Sequence, residues 1–394
     1  MKKSIAIIGG GTAGLFFAAF IDTDLYDVTI YEKKKSLGRK FLVAGDGGFN
    51  LTHAEHIDIL KTRYTPKGLL NDALVYFSNQ DLRDWLYSIS IPTFIGSSKR
   101  VFPVEGIKPI QVLKAIEKVL AEKKISILYN KEFTGWTESD QLILNESDII
   151  HPDLIVFALG GASWKVTGSD GSWLSLFNNQ GIKTTPFQAS NCAFQVKWNA
   201  DYIRSFNGKP LKNISISIGG LLQKGEVVIT AFGLEGNAIY ALSEAIQSEL
   251  ALNKKAVIHI DFKPTLTPET ILNKIKNSNY NTTETLKQSL KLNKAQINLI
   301  KNHLNKHEYL DHSTLINTIK HFPITLTASA SIDEAISTMG GIHVDAISQN
   351  YELNDLQGQY CIGEMLDWNA TTGGYLIQGC VSMGAYLADQ LNNQ

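Results

Sequence analysis

Gly9-x-Gly11-x-x-Gly14, with seventeen residues between Gly14 and Glu32, presents the residue types and the spacing that hold a dinucleotide. The first glycine makes a tight turn, the second lets a pyrophosphate approach the backbone, and the third allows close helix–strand packing. The N–H groups that open the following helix, with their partial positive charge, face the phosphates. A carboxylate at position 32 suits ribose hydroxyls and repels a 2′-phosphate, so the site is expected to take FAD or NAD rather than NADP.

Other residues could serve the same site. Arg39 and Lys40 begin GRKFLVAGDGGFNLTH (residues 38–53), where cations and glycine backbone donors suit a loop folded over an anionic ligand. Arg100, in the 96–103 loop GSSKRVFP, is a candidate clamp for a substrate anion or, with Lys99, for a nicotinamide cofactor's phosphate. Gly160-Gly161 and Gly363-Glu364 each follow a short apolar run, and Gly373-Gly374 opens a helix. If that helix points at a flavin, its dipole would stabilise the charge that develops on the reduced ring. Tyr375, Asp367 and His53 are protonable, with Arg100 and Tyr375 the catalytic candidates, but the spacing names no general acid. His303 and His307 stand at i, i+4, a metal pair with no third ligand specified, so no metal is expected.

These residues need elements to place them. Ser4–Ile8 reads as a strand buried on both faces, Ala13–Phe20 as a helix and Asp27–Tyr31 as a returning strand. Pro109–Lys123 has helical spacing, and Leu154–Leu159 repeats the strand-then-glycine pattern. From Phe187 the segments NCAFQVKW, NISISIG and EVVIT alternate as antiparallel hairpins. Residues 233–248 and the lysine- and asparagine-rich 264–322 return to helical periodicity. Gln359–Ile362 is a last strand, and an amphipathic helix runs to about Leu391.

Composition narrows the class. The 394 residues carry 37 basic and 38 acidic side chains, a net charge of -1, which argues against a protein that grips nucleic acid through a dominant basic surface. Cys192, Cys361 and Cys380 form neither a CxxC pair nor a disulfide framework, as in a reducing compartment. The apolar stretch after Lys2-Lys3 is broken by glycines, unlike a signal segment, and no apolar run approaches the roughly 18 residues that span a bilayer. A soluble, cytoplasmic protein with no membrane partner is expected.

The GxGxxG-(x)17-E unit resembles the first fingerprint of the two-dinucleotide-binding-domain flavoproteins. Gly38-Arg39, Ala158-Leu159-Gly160 and Cys361-Ile362-Gly363-Glu364 resemble that superfamily's later stretches, with Leu159 where threonine is usual and Glu364 where aspartate is usual. More specifically, GRKFLVAGDGGFNLTH, TFIGSSKRVFP, LGGASW, GEVVITAFGLEGNAIYALS, EAISTMGG and CIGEMLDWNATTGGYLIQGC are similar to the BaiN/YhiN-like flavoproteins, although Lys165 stands where proline is expected. This resemblance implies noncovalent FAD held by Gly9, Gly11, Thr12, Ala13, Gly14, Glu32, Lys33, Gly38, Arg39, Lys40, Gly45, Asn50, Thr52, Gly160, Gly161, Gly363, Glu364, Asp367, Gly373, Gly374 and Tyr375. It implies an α/β fold: a Rossmann-like FAD domain from both chain ends (1–186 and 338–394), interrupted by a β-barrel-like insert (187–263 and 324–337) and a helical segment (264–323).

The expected function is a FAD-dependent oxidoreductase moving a hydride to or from a small organic substrate. No second GxGxxG follows a strand between 187 and 340, so NAD(P)H as electron donor would bind only transiently. Two alternatives stand beside it: an RNA-modifying flavoenzyme docking through the lysine-rich helices, and a flavin-binding protein without turnover.

Overall fold

The computed structural model describes residues 2–43 and 49–394. The chain divides into two compact units, Met1–Gln188 with Ile336–Gln394, and Ala189–Ala335.

The first unit is built on a five-stranded parallel sheet. Strand β1 (Lys3–Ile8) lies at its centre, helix α1 (Thr12–Phe20) follows, and strand β2 (Tyr26–Glu32) returns beside β1. The order across the sheet is Gln359–Cys361, Leu154–Phe157, β1, β2, Ser126–Tyr129. Ile5, Ile7 and Ile8 are at most 1% exposed, as a central parallel strand covered on both faces requires. Each such side chain contributes roughly 2 kcal/mol by burial. Ile8 pairs with both Phe157 and Tyr31, so three strands finish level and bring Gly9, Ala158 and Glu32 to one edge.

The apolar residues of α1 point in every direction because the helix is covered twice, by the sheet and by the terminal helix Tyr375–Asn392. These helices run parallel. A Cβ at Gly384 would lie 2.7 Å from the Ala13 carbonyl oxygen, so only glycine lets the backbones approach this closely. At the far end Asn392 accepts from the Asp22 N–H at 2.8 Å and donates to the Phe20 carbonyl at 3.2 Å.

Gly14 is the tightest point of the βα turn. A Cβ there would overlap the Gly9 carbonyl oxygen and stand 3.2 Å from Ile7 Cγ2 and 3.3 Å from the Ala158 side chain. Backbone on one side and core on the other leave little room to relax. Gly14→Ala is expected to cost about 2–4 kcal/mol, read as a lowered urea midpoint at constant slope; an unchanged midpoint would show the turn to be looser than drawn.

The second unit is a closed six-stranded barrel of antiparallel pairings: Phe194–Val196, Gly233–Glu235, Leu221–Ile229, Pro210–Ile218, Ala256–Asp261 and Phe322–Ser329. Helices between residues 268 and 320 send Ile271, Leu286, Ile300, Leu315 and Ile319 into the same apolar core as the barrel residues Phe194, Ile216 and Ile258. The segment read from sequence as a separate helical part therefore shares one core with the barrel. The histidine pair is corrected outright. His303 ends the helix Lys294–His303, whereas His307 lies in a new helix, Lys306–Leu310, capped by Asn305, so the two do not share a helix face. No metal-competent cluster occurs among the described residues.

Candidate functional site

The dinucleotide turn starts where β1 ends. Gly9 has φ +109°, a conformation closed to most side chains, and its N–H donates to the Tyr31 carbonyl at 2.9 Å. Glu32 accepts from the Gly10 N–H through Oε2 at 2.8 Å and from the Lys34 N–H through Oε1 at 2.7 Å. Each oxygen keeps a free lone pair for a hydroxyl. Gly11 caps α1 without a side-chain hydrogen bond, no acidic residue stands in the first turn, and a Cβ at Gly11 would meet no atom within 4 Å. The helix thus offers unsatisfied N–H groups, from Thr12 and Ala13 onward, to open space.

Facing this turn is a network of ionic and polar side chains. Lys33 Nζ pairs with Asp170 at 2.8 Å, and Arg39 Nη2 donates to the Val166 carbonyl at 3.1 Å. Both tie the segment after β2 to the loop that follows Gly160-Gly161. Lys40 Nζ bonds Ser163 Oγ at 2.7 Å and the Glu364 carboxylate at 2.8 Å, while Glu364 also accepts from the Thr338 N–H at 3.2 Å. Sequence reasoning takes Lys40 and Glu364 as separate cofactor contacts, yet the structure pairs them across 324 positions, so they neutralise each other and fix two loops. Arg39 Nε and Ser169 Oγ are buried without a partner, two orphaned donors beside an uncapped helix and an open glycine cradle. This combination fits a dinucleotide with anionic and hydroxyl groups.

The remaining candidates divide by role. Gly38 packs on Leu113, and Asp367 accepts from the Gly340 N–H at 3.0 Å, holding a corner. Thr52 Oγ1 donates to Gln378 Oε1 at 2.6 Å and is committed to the terminal helix. Asn50 is half-buried just before the strand Thr52–His53. Gly45 lies outside the described residues.

A second cluster surrounds the start of the terminal helix. Gly374 has φ +95°, and a Cβ on it would lie 2.6 Å from Thr52 Cα, so the helix begins hard against that strand. Tyr375 Oη donates to Glu55 Oε2 at 2.8 Å, and Arg63 donates to both Glu55 oxygens, through Nε at 2.9 Å and through Nη2. The His53 ring stacks on Tyr375 with centroids 5.1 Å apart. His53 Nε2 meets the Ser98 carbonyl at 3.1 Å, which requires a proton on that nitrogen. Nδ1 is left buried and unbonded, 3.8 Å from Glu55.

Charges here are displaced from their usual ranges. Burial pushes the Glu55 carboxyl up, but the hydrogen bonds from Arg63 and Tyr375 outweigh it and hold the group below the usual carboxylate range. Burial first, then Glu55, pushes the Tyr375 hydroxyl up. Burial lowers His53, and Glu55 only partly offsets it. Sequence reasoning names His53, Arg100 and Tyr375 and misses Glu55 and Arg63. Glu55, two residues past a strand end, carries a weak signal; Arg63 carries none, because its partner is brought to it by the fold.

The two helix N-termini face the same way. Ala13, at the start of α1, lies level with Gly363 and Cys380, so the terminal helix begins five residues, roughly 8 Å, further out.

A family model described as "HI0933-like protein Rossmann domain" matches residues 3–390. The chain is 24% identical over 408 residues to the 3-dehydro-bile acid delta(4,6)-reductase of Clostridium scindens, covering 98% of this chain and 97% of the relative. It is likewise 24% identical over 420 residues to the ribosomal RNA dihydrouridine synthase of Haemophilus influenzae, covering 98% of each. Among solved structures, the open conformation of a flavocytochrome c3 fumarate reductase matches with a TM-score of 0.52 at 15% identity, covering all of this chain and 78% of that one. A 3-ketosteroid delta1-dehydrogenase from Sterolibacterium denitrificans matches with a TM-score of 0.50 at 12% identity, each chain covered completely. Both structures speak to the fold alone.

Proposed function

The chain belongs to the HI0933-like Rossmann-domain family and is a FAD-dependent oxidoreductase, and on that premise we propose that the bond it reduces is a carbon–carbon double bond conjugated to a carbonyl. The observation that carries the cofactor is the uncapped α1 with open space at Gly11. What supports the bond type is the chemistry shared by two equally similar relatives. A 3-oxo steroid with 4,6 unsaturation and the uracil ring of uridine both place a double bond next to a carbonyl.

In this reading the pyrophosphate lies against Gly11, Thr12 and Ala13, with Gly9 and Gly14 shaping the turn and Glu32 taking ribose hydroxyls. Arg39 faces the phosphates, while Lys33, Lys40 and Glu364 hold the surrounding loops. Gly373, Gly374 and Tyr375 face the ring end. Bound there, FAD supplies hydride chemistry. Tyr375 keeps its proton directed at Glu55 and fixes the terminal helix rather than delivering the proton. A reduced nicotinamide, encountered transiently, is the electron donor.

The substrate is a small organic molecule, and no helix among the described residues is long and apolar enough to cross a membrane. One observation favours uridine within RNA instead. Seven lysines of the helical segment, Lys274, Lys276, Lys287, Lys291, Lys294, Lys301 and Lys306, are exposed. The purified protein should show a flavin spectrum and bleach anaerobically with NADH or NADPH. Reoxidation by a 3-oxo-4-ene steroid or a simple enone is the expected result. Reoxidation by ribosomal RNA alone would establish the second reading, and failure of every acceptor would remove the proposed bond type. Absence of flavin, with failure to load FAD, would remove the reading altogether.

A further inference from the structure

We propose that Arg100 is the cation that stabilises the negative charge of the reduced flavin and so raises the cofactor's reduction potential. The inference rests on the FAD reading above and adds a residue to it.

Arg100 opens the strand Arg100–Pro103 and pairs directly with His53 in the antiparallel register, so the two side chains project from the same face. Its Nε stands 3.6 Å from where a Cβ of Gly373 would be, beside the glycine pair that opens the 18-residue terminal helix. Of the other cations of the site, Arg63 is bidentate on Glu55 and Lys40 is paired with Glu364, while Arg39 donates through one nitrogen to the Val166 carbonyl and leaves Nε unbonded. The Arg100 side chain has no hydrogen bond or ion pair among the described residues, although the residue is half-buried. Its cross-strand neighbour His53, 9% exposed, leaves Nδ1 buried and unbonded. A cation without a side-chain partner and a buried, unbonded ring nitrogen therefore stand side by side at a helix N-terminus.

The charge count explains what such a place would hold. Glu55 contributes one negative charge, Arg63 and Arg100 two positive ones, and the helix terminus adds a partial positive charge. Among the described residues the cluster carries an excess of positive charge. A hydride given by a nicotinamide to the neutral ring brings two electrons and one proton, so one negative charge remains. The terminal helix faces the same side as α1 and begins roughly 8 Å beyond it, so it would meet the ring end of a dinucleotide that rests on α1 and extends toward it. A guanidinium beside that charge favours the reduced state over the oxidised one, and the difference appears as potential.

The test is the two-electron midpoint potential of the FAD-loaded protein, measured by dye equilibration. Arg100→Gln is expected to shift the reduction equilibrium 10- to 100-fold toward the oxidised form, a drop of about 30–60 mV. Arg100→Lys, which keeps the charge, should stay within about threefold of the parent, and Lys114→Gln, which removes an exposed lysine elsewhere, should not move it. A potential within twofold of the parent in Arg100→Gln overturns the proposal, the more clearly if only the KM for nicotinamide or enone rises, which would make Arg100 a substrate-binding residue. If the glutamine variant does not retain FAD, the lysine variant decides, and a drop beyond threefold overturns the proposal. Loss of FAD from both variants does the same, by making Arg100 a residue of cofactor capture. Failure of the FAD reading is distinct, because the parent protein itself would then bind no flavin.

Discussion

Gly11→Asp should leave the protein as stable as the parent, or slightly more so, while weakening FAD binding at least 100-fold. The two effects separate because Gly11 is the N-cap of α1. Its φ of -83° suits any residue, and its missing side chain faces no protein atom within 4 Å. Aspartate is a preferred N-cap whose oxygen accepts from the second or third helical N–H, and its charge complements the helix dipole. Those same N–H groups are the ones offered to the pyrophosphate. The variant therefore satisfies the helix internally and sets a fixed negative charge against the phosphates. At about 4 Å and an effective dielectric near 20, such a repulsion is on the order of 4 kcal/mol, enough for the predicted loss. Gly11→Ala, which fills space without charge, should fall between, at about tenfold. FAD titration followed by fluorescence gives the affinity, and urea unfolding of the apoprotein gives the stability. A Gly11→Asp variant that binds FAD like the parent would place the cofactor elsewhere. Gly14→Ala differs, because its cost falls on the stability of the fold: two glycines of one motif fail in different ways.

The motif was legible because everything that specifies it is local. A β-branched run, three glycines, a helix and a returning strand lie within about thirty residues, and Ile8 pairing with Tyr31 delivers Glu32 to the turn without help from elsewhere. The second cluster has no such locality. His53, Arg100 and Tyr375 could each be nominated from sequence as a reactive type in a glycine-rich setting. Their convergence depends on a strand pairing and on a helix 320 residues downstream of Glu55. Lys40 and Glu364 show the same limit from the other direction, since residues chosen for their charge toward a ligand turn out to balance each other. The histidine pair fails for a local reason that was present to be read. Asn305 and Glu308 form a capping box that starts a new helix between His303 and His307, and that signal outranks periodicity.

Arg63→Ala is expected to cost about 2 kcal/mol at pH 7, and this deficit should shrink as the pH falls toward about 4. Glu55 is the reason. Its side chain is 11% exposed, and the carboxylate is held by both arms of Arg63 with Tyr375 as a third donor; the His53 ring lies 3.8 Å away. In the parent the folded-state pKa lies below the unfolded value, so Glu55 contributes stability that is fully present above the unfolded pKa, about 4.3, and is lost as pH drops through the folded one. Without Arg63, burial is the largest remaining influence, and it favours the protonated acid. The folded pKa then rises above the unfolded one, and the sign reverses. The variant is penalised at neutral pH for a buried, weakly compensated carboxylate, and protonation relieves it. Breaking a fully buried pair costs about 3–5 kcal/mol, and the smaller figure here reflects an Arg63 side chain that is 40% exposed and within reach of water. Adding Glu55→Gln to Arg63→Ala should recover most of the loss at pH 7, because the amide can still accept from Tyr375 Oη and carries no charge to bury. Urea midpoints at pH 7 and pH 4.5 for the parent, the single variant and the double variant test this. Equal deficits at both pH values would mean that Arg63 stabilises through packing over the Tyr375 ring, 6.0 Å away, rather than through the Glu55 charge.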